Sequence, residues 1–182
     1  MQKIWRFMGF DDGFTSLSCE RAHLVGCITA RCRVEGFVYA QIDVDGFDVT
    51  EKIVKLVNKS KYSKQIKCIM LYGITFAGMN VADIVEIHEL TEKPVIAVTK
   101  KHTKSLEKPA MRAGNAERRI KILEKAGNSI KIEGVKVQIA GCGVEEARNF
   151  IRASTCTGKI PECLRIAHLA ASALAYGESK KA

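Results

Sequence analysis

The hydrophobic period of this chain changes once, near Asp48, and that change restricts what it can fold into. Upstream, residues 3–9, 23–33 and 37–44 read as short strands. The first stops at Asp11-Asp12-Gly13, and the other two are joined by a turn signal at Glu35-Gly36, so the three form an antiparallel meander. Downstream, Asp48-Val49-Thr50-Glu51 has the spacing of a capping box, and Ile53, Leu56 and Val57 recur at helical spacing towards Tyr62. A short apolar strand over 67–72 ends at Gly73, followed by a helix over 80–90 and a strand over 94–99. Strand-helix-strand units of this kind pair in parallel through right-handed crossovers. Residues 104–118 are polar and poorly periodic and read as a loop, a lid or a helix. Residues 117–125 read as a helix stopped by Gly127-Asn128. Two short strands, around Ile130 and over 135–140, precede helices over 144–153 and 161–176. Pro161 suits the first turn of the last helix and Gly177 its C-terminal cap.

A three-strand meander followed by helix, strand, helix and strand is the element order of the ribonuclease H-like α/β fold, a mixed sheet flanked by helices, and other α/β sandwiches share it. With 182 residues, one domain spanning 1–182 can bury roughly 70% of the surface its unfolded chain would expose. No apolar run reaches the 18 residues of a membrane span, and the N-terminus meets an aspartate pair before any signal-peptide core, so no membrane association and a cytoplasmic location are expected.

A net charge of +9 favours polyanionic partners, nucleic acid (DNA or RNA) or phosphorylated substrates. Charge is unevenly spread. Between Asp11 and Glu51 eight acids face three arginines, whereas between Lys93 and Lys125 ten bases face three acids. Carboxylates for a cation and bases for a phosphate backbone are what a metal-dependent phosphodiester site needs, although solvated helix faces yield the same counts. Of the seven cysteines no two have the spacing of a zinc knuckle or a redox dithiol. They read as reduced thiols, a structural disulfide staying open for a hyperthermophile source.

The chain lacks a G-x-x-x-x-G-K phosphate loop, a G-x-S-x-G elbow and an H-E-x-x-H helix. Gly141-Cys142-Gly143 fails as a dinucleotide fingerprint at Glu146, and the segment from Asp43 fails as a calcium loop at Asp48 and Val54. Asp11 and Asp12 at a strand end could approach a divalent ion or form an Asx turn. Asp43 and Asp45, two apart, would share a strand face and an ion, or face water. Asp48 and Glu51 suit a helix N-terminus as well as a site. Lys100 and Lys101 follow an apolar strand at the carboxyl end where open sheets bind ligands. His23, His88, His102 and His168 show no ligand spacing and read as structural, and Cys142 at a strand-to-helix turn could be a reactive thiol.

Four stretches, Gly9-Phe10-Asp11-Asp12-Gly13, the run from Val44 to Ile53, Gly73-Ile74-Thr75-Phe76, and the run from Ile160 to His168, resemble an archaeal family defined as a domain of unknown function (number ninety-nine), itself distantly similar to endonuclease V. The resemblance spans nearly the whole chain. It implies the same ribonuclease H-like fold and a cut in DNA or RNA near deaminated bases, dependent on Mg²⁺ or Mn²⁺. It places Asp11 on the first metal-binding aspartate and Lys100 on a substrate-contacting lysine, with Lys101 beside it. Either Glu51 or Asp48 would stand for a glutamate near the first helix. Tyr72 occupies the position of a second metal-binding aspartate, so Asp12 or Asp45 would have to replace that ligand, and the nuclease's histidine has no counterpart at Gly141-Cys142-Gly143. Two functions follow: an endonuclease with an incomplete metal site, or a nucleic-acid-binding module that has lost the chemistry. An enzyme acting on a small phosphorylated molecule at the same strand ends is a third.

Overall fold

A computed structural model describes residues 4–99 and 106–180; Lys3, Lys100, Lys101, His102 and residues 104–105 of the polar stretch lie outside them. Strands β1 (Arg6–Gly13), β2 (Arg21–Ala30) and β3 (Arg33–Asp43) form the meander, and helix α1 (Val49–Lys59) leads into β4 (Ile66–Leu71). A two-stranded ribbon, β5 (Thr75–Phe76) and β6 (Asn80–Val81), precedes α2 (Ile84–Thr91) and β7 (Val95–Thr99). Helices α3 (Glu107–Arg112) and α4 (Ala116–Lys125), strands β8 (Ile130–Ile132) and β9 (Val135–Ala140), and helices α5 (Val144–Ser154) and α6 (Glu162–Tyr176) complete the chain.

The main sheet has the order β3-β2-β1-β4-β7-β9-β8. Strands β1, β4 and β7 run parallel, with the meander antiparallel on one side and β9 and β8 antiparallel on the other. This is the expected mixed sheet flanked by helices. Side chains alternate across it, so consecutive residues of β1 serve different cores. Met8 and Phe10 pack with Ile53 and Val57 of α1 and Ile84 and Ile87 of α2. Phe7 joins Met70, Phe150, Ile151 and Leu164 on the opposite face. Burying each such side chain contributes about 1.5–3 kcal/mol, which explains why the central strands read as continuous apolar runs.

Three local expectations are corrected. The β2–β3 turn is at Arg31-Cys32, with Arg31 in the left-handed region, and Glu35-Gly36 is not the turn. Ile28 pairs Gly36 and Thr29 pairs Val34, so Glu35 is the extra residue of a β-bulge. Helix α2 starts at Ile84 because Asp83 accepts the N–H groups of Val85 (3.1 Å) and Glu86 (2.9 Å), while Asn80 belongs to the preceding ribbon. Cys32 and Cys156 form a disulfide across 124 residues, joining the β2–β3 turn to the segment after α5, so not all seven thiols are reduced.

Candidate active site

Helix α6 lies directly on β1, and glycine makes the approach possible. A Cβ at Gly9 would stand 2.6 Å from the Cys163 carbonyl carbon, and one at Gly13 would stand 2.1 Å from the Ala171 carbonyl oxygen. Gly9, Asp11 and Gly13 share one face of β1, so the carboxylate between the two glycines is aimed at the same helix. There His168 Nδ1 meets Asp11 Oδ2 at 2.7 Å. Asp11 is buried, and a quarter of the His168 side chain remains exposed. A carboxylate oxygen is the acceptor in such a pair, which assigns the hydrogen to Nδ1 and leaves acid–base exchange to Nε2. The Tyr72 ring, just beyond the end of β4, stands 5.5 Å from the imidazole, tilted by 34°.

Asp12 points to the other face of β1, where its Oδ2 accepts the Ala77 N–H at 2.9 Å. Burial, reinforced by the neighbouring Asp11 charge, pushes its carboxyl up to about 7. Two carboxylates therefore project from opposite faces of β1 near the carboxyl ends of the parallel strands. Tyr72, Gly73, Val98 and Thr99 line an adjoining cleft of about 150 Å³ that Ile74, Thr75 and Leu106 complete.

The candidates from the middle of the chain are engaged elsewhere. Strand β3 ends at Asp43, which pairs with Arg21 at 3.2 Å, and Asp45 lies beyond it at a left-handed φ of 52°. Asp43 and Asp45 thus do not share a strand face. Asp45 Oδ1 accepts the Met79 N–H at 2.8 Å. Asp48 makes no side-chain cap on α1; its Oδ1 accepts from the Asp43 N–H (3.1 Å) and from Asn80 Nδ2 (2.7 Å), while Asn80 Oδ1 accepts the Val49 N–H. The capping box is therefore replaced by an asparagine reaching in from β6. Glu51 is exposed in the first turn of α1. Buried Arg119 closes this knot. Its guanidinium donates to the carbonyls of Asp45, Gly46, Met79, Ala113 and Gly114, and it stacks 4.1 Å from the Phe47 ring.

A family model described as endonuclease dU matches residues 3–175. The chain belongs to the endonuclease dU family. Among relatives of this endonuclease dU family member, the UPF0215 protein of Archaeoglobus fulgidus is 43% identical over 180 residues, covering 98% of both chains. A crystal structure of a protein of unknown function from the same organism superposes with a TM-score of 0.89 at 40% identity, covering 95% of this chain and 99% of that one. Ciona intestinalis endonuclease V, solved with a 24mer DNA containing an inosine followed by a ribo-adenosine, matches with a TM-score of 0.58 at 15% identity, covering 92% of this chain and 84% of that one. At that identity the likeness shows a common fold.

In this endonuclease dU family member, no three His, Cys, Asp or Glu side chains stand close enough together to hold a metal ion among the described residues. Asp11, Asp12 and Asp45 therefore do not converge as a ligand trio, because Asp45 is held by Met79. Lys100 and Lys101 lie outside the described residues, directly after Thr99 at the end of β7. Cys142 is not activated: burial, and then Glu146, pushes its thiol up to about 11. His168 is the residue the sequence reading missed. Its signal was the spacing of Cys163, Ala167 and Ala171, a small-residue face on which a histidine one position off must lie against the strand below.

Proposed function

We propose that this protein is an endonuclease cutting a phosphodiester bond beside deaminated bases in DNA, deoxyuridine first among them. The observation that carries the reading is the Asp11–His168 contact at the ends of the parallel strands, the place where open α/β sheets bind ligands. Family membership and the DNA-bound endonuclease V neighbour support the substrate class.

In this reading Asp11 orients His168, whose Nε2 gives or takes a proton at an oxygen of the scissile phosphate group. Asp11 and Asp12 would hold Mg²⁺ or Mn²⁺. The fit lies in the donor set: the carboxylates of two consecutive residues near one strand end, Asp11 buried and Asp12 pushed up to about 7 by burial and by the Asp11 charge, repel one another, and a divalent ion held between their oxygens would relieve that repulsion. Mg²⁺ commonly takes one or two carboxylates and completes its shell with water and substrate phosphates. When bound, the ion would supply charge stabilisation of the phosphoryl transition state. Asp45, Asp48 and Glu51 have no part in this proposal. Lys100 and Lys101 are proposed to contact the substrate backbone, and the cleft beside Tyr72 to receive part of the substrate.

A second reading, a nucleic-acid-binding module without chemistry, is favoured by Tyr72: the resemblance to endonuclease V puts this residue where that nuclease carries a metal-binding aspartate, and a phenol is a poor ligand for a hard cation. Incubation of the purified protein with a deoxyuridine-containing duplex and single strand, in Mg²⁺ and in Mn²⁺, separates the two. Cleavage abolished by Asp11→Asn supports the endonuclease. Salt-sensitive binding with no cleavage in either metal supports the module, and cleavage that survives Asp11→Asn overturns the site.

A further inference from the structure

We propose that the outer face of α1 is a second nucleic-acid contact, a backbone-binding track separate from the strand-end site. Lys52, Lys55 and Lys59 recur at i, i+3 and i+7 and so lie on one face of α1. With Val38 and Ala40 of β3 and Leu56 they line a groove of about 340 Å³ between the helix and the edge strand. No carboxylate lines that groove, and the three lysines make no ion pair among the described residues. From residue 51 to residue 67 the chain carries six lysines and a single acid, Glu51. A surface of unpaired like charges destabilises itself and is relieved by a polyanion.

The fold also sets the direction of the track. Asp11 pairs Val25, and Val25 pairs Tyr39, so β3 lies two strands, about 10 Å, from the site. Helix α1 begins at the end of β3, on the edge of the sheet that carries the Asp11–Gly13 end of β1, and runs away from it for about 16 Å. Lys52 to Lys59 spans about 10 Å of that length, more than one phosphate spacing of a single strand. The α1 groove opens on the sheet face opposite α6, so a strand that leaves the site and wraps over the free edge of β3 meets three ammonium groups in succession. The partner is therefore the phosphate backbone of a nucleic acid longer than the site itself, read without regard to sequence.

This proposal rests on the nucleic-acid reading but not on cleavage. The test is fluorescence anisotropy of a labelled single-stranded 30-mer titrated with protein in EDTA, repeated from 50 to 300 mM NaCl. For the K52Q/K55Q/K59Q variant the slope of log Kobs against log[NaCl] is expected to fall by about 2, from three lost phosphate contacts. The triple arginine variant should keep the wild-type slope, as should Lys131→Gln on β8 at the opposite edge of the sheet. Wild-type binding with an unchanged slope in the triple glutamine variant overturns the track alone. Absence of binding by the wild-type protein overturns the track and the nucleic-acid reading together. If the triple variant instead loses only its capture by phosphatidylserine vesicles, keeping its oligonucleotide slope, the face serves a membrane surface and the proposal is wrong.

Discussion

His168 Nδ1 lies 2.7 Å from Asp11 Oδ2, although 157 residues separate them in the chain. The pair exists because α6 crosses β1 at a distance that two glycines allow, so the geometry of the pair and the packing of the helix are one feature. Whatever moves α6 moves the histidine.

His168→Ala should lower the rate of deoxyuridine-strand cleavage by about 10²–10⁴, the usual contribution of a positioned acid–base group, with little change in binding of the 30-mer. The pH–rate profile should lose the limb that His168 supplies. A variant that cleaves at the wild-type rate over the whole pH range removes the histidine from the mechanism.

Asp12 imposes a pH dependence on stability. Its folded carboxyl titrates near 7 against an ordinary value of 3.8, so the unfolded chain releases this proton first and the contribution to stability is lost as pH rises between those values. Asp12→Asn removes the ionisation. Its stability advantage over wild type should be absent below about pH 4, grow through pH 5 and 6, and reach about 3 to 4 kcal/mol above pH 7. Millimolar Mg²⁺ or Mn²⁺ at pH 8 should narrow that gap by stabilising the wild-type protein, as read by urea denaturation. A gap independent of pH would remove burial of the Asp12 carboxylate as its cause.

Gly13→Ala should destabilise the protein by about 3 kcal/mol, because the new methyl would stand 2.1 Å from a backbone oxygen of α6 and either the helix or the strand must move. The same substitution should reduce cleavage out of proportion to the folded fraction, since it displaces His168 from Asp11. Equal losses of folded protein and of activity would show that the helix re-seats without disturbing the pair.

Replacing Arg119 with methionine should cost about 3 kcal/mol or more in chemical denaturation, as carbonyls on three segments lose their donor together. Arg119→Lys should recover little of it, because an ammonium offers three donors without the planar stack on Phe47. A methionine variant as stable as wild type would mean that water satisfies those carbonyls.

Reduction of the Cys32–Cys156 bond, or Cys156→Ser, should lower stability by about 2–4 kcal/mol, since the bond closes a long loop in the unfolded chain. Comparing thermal unfolding with and without reductant, with the serine variant insensitive to reductant, measures this directly.

Much of this architecture was legible because the signals are local. The change of period at Asp48, the Pro161 and Gly177 boundaries of α6 and the apolar runs of β4 and β7 depend on neighbours a few residues away. The errors fell where a distant residue overrode a local pattern. Asp48 has the spacing of a capping box, yet Asn80 provides the acceptor for Val49 and takes the Asp48 carboxylate for itself. Glu35-Gly36 has turn chemistry, yet the bulge absorbs it and Arg6 and Arg33 hold the Glu35 carboxylate below its ordinary range.

By itself, then, the chain's order of apolar and polar residues determined the meander, the parallel crossovers and the presence of an aspartate at the end of the first strand. Only the tertiary structure decided which of the eight early acids stand together. Asp11 and Asp12 gather at the strand ends, Asp45 and Asp48 are drawn into the Arg119–Asn80 knot, and Glu51 faces solvent. The physical reason is that a carboxylate's role depends on its burial and its nearest partner, and those are set by backbone packing between segments as much as 157 residues apart.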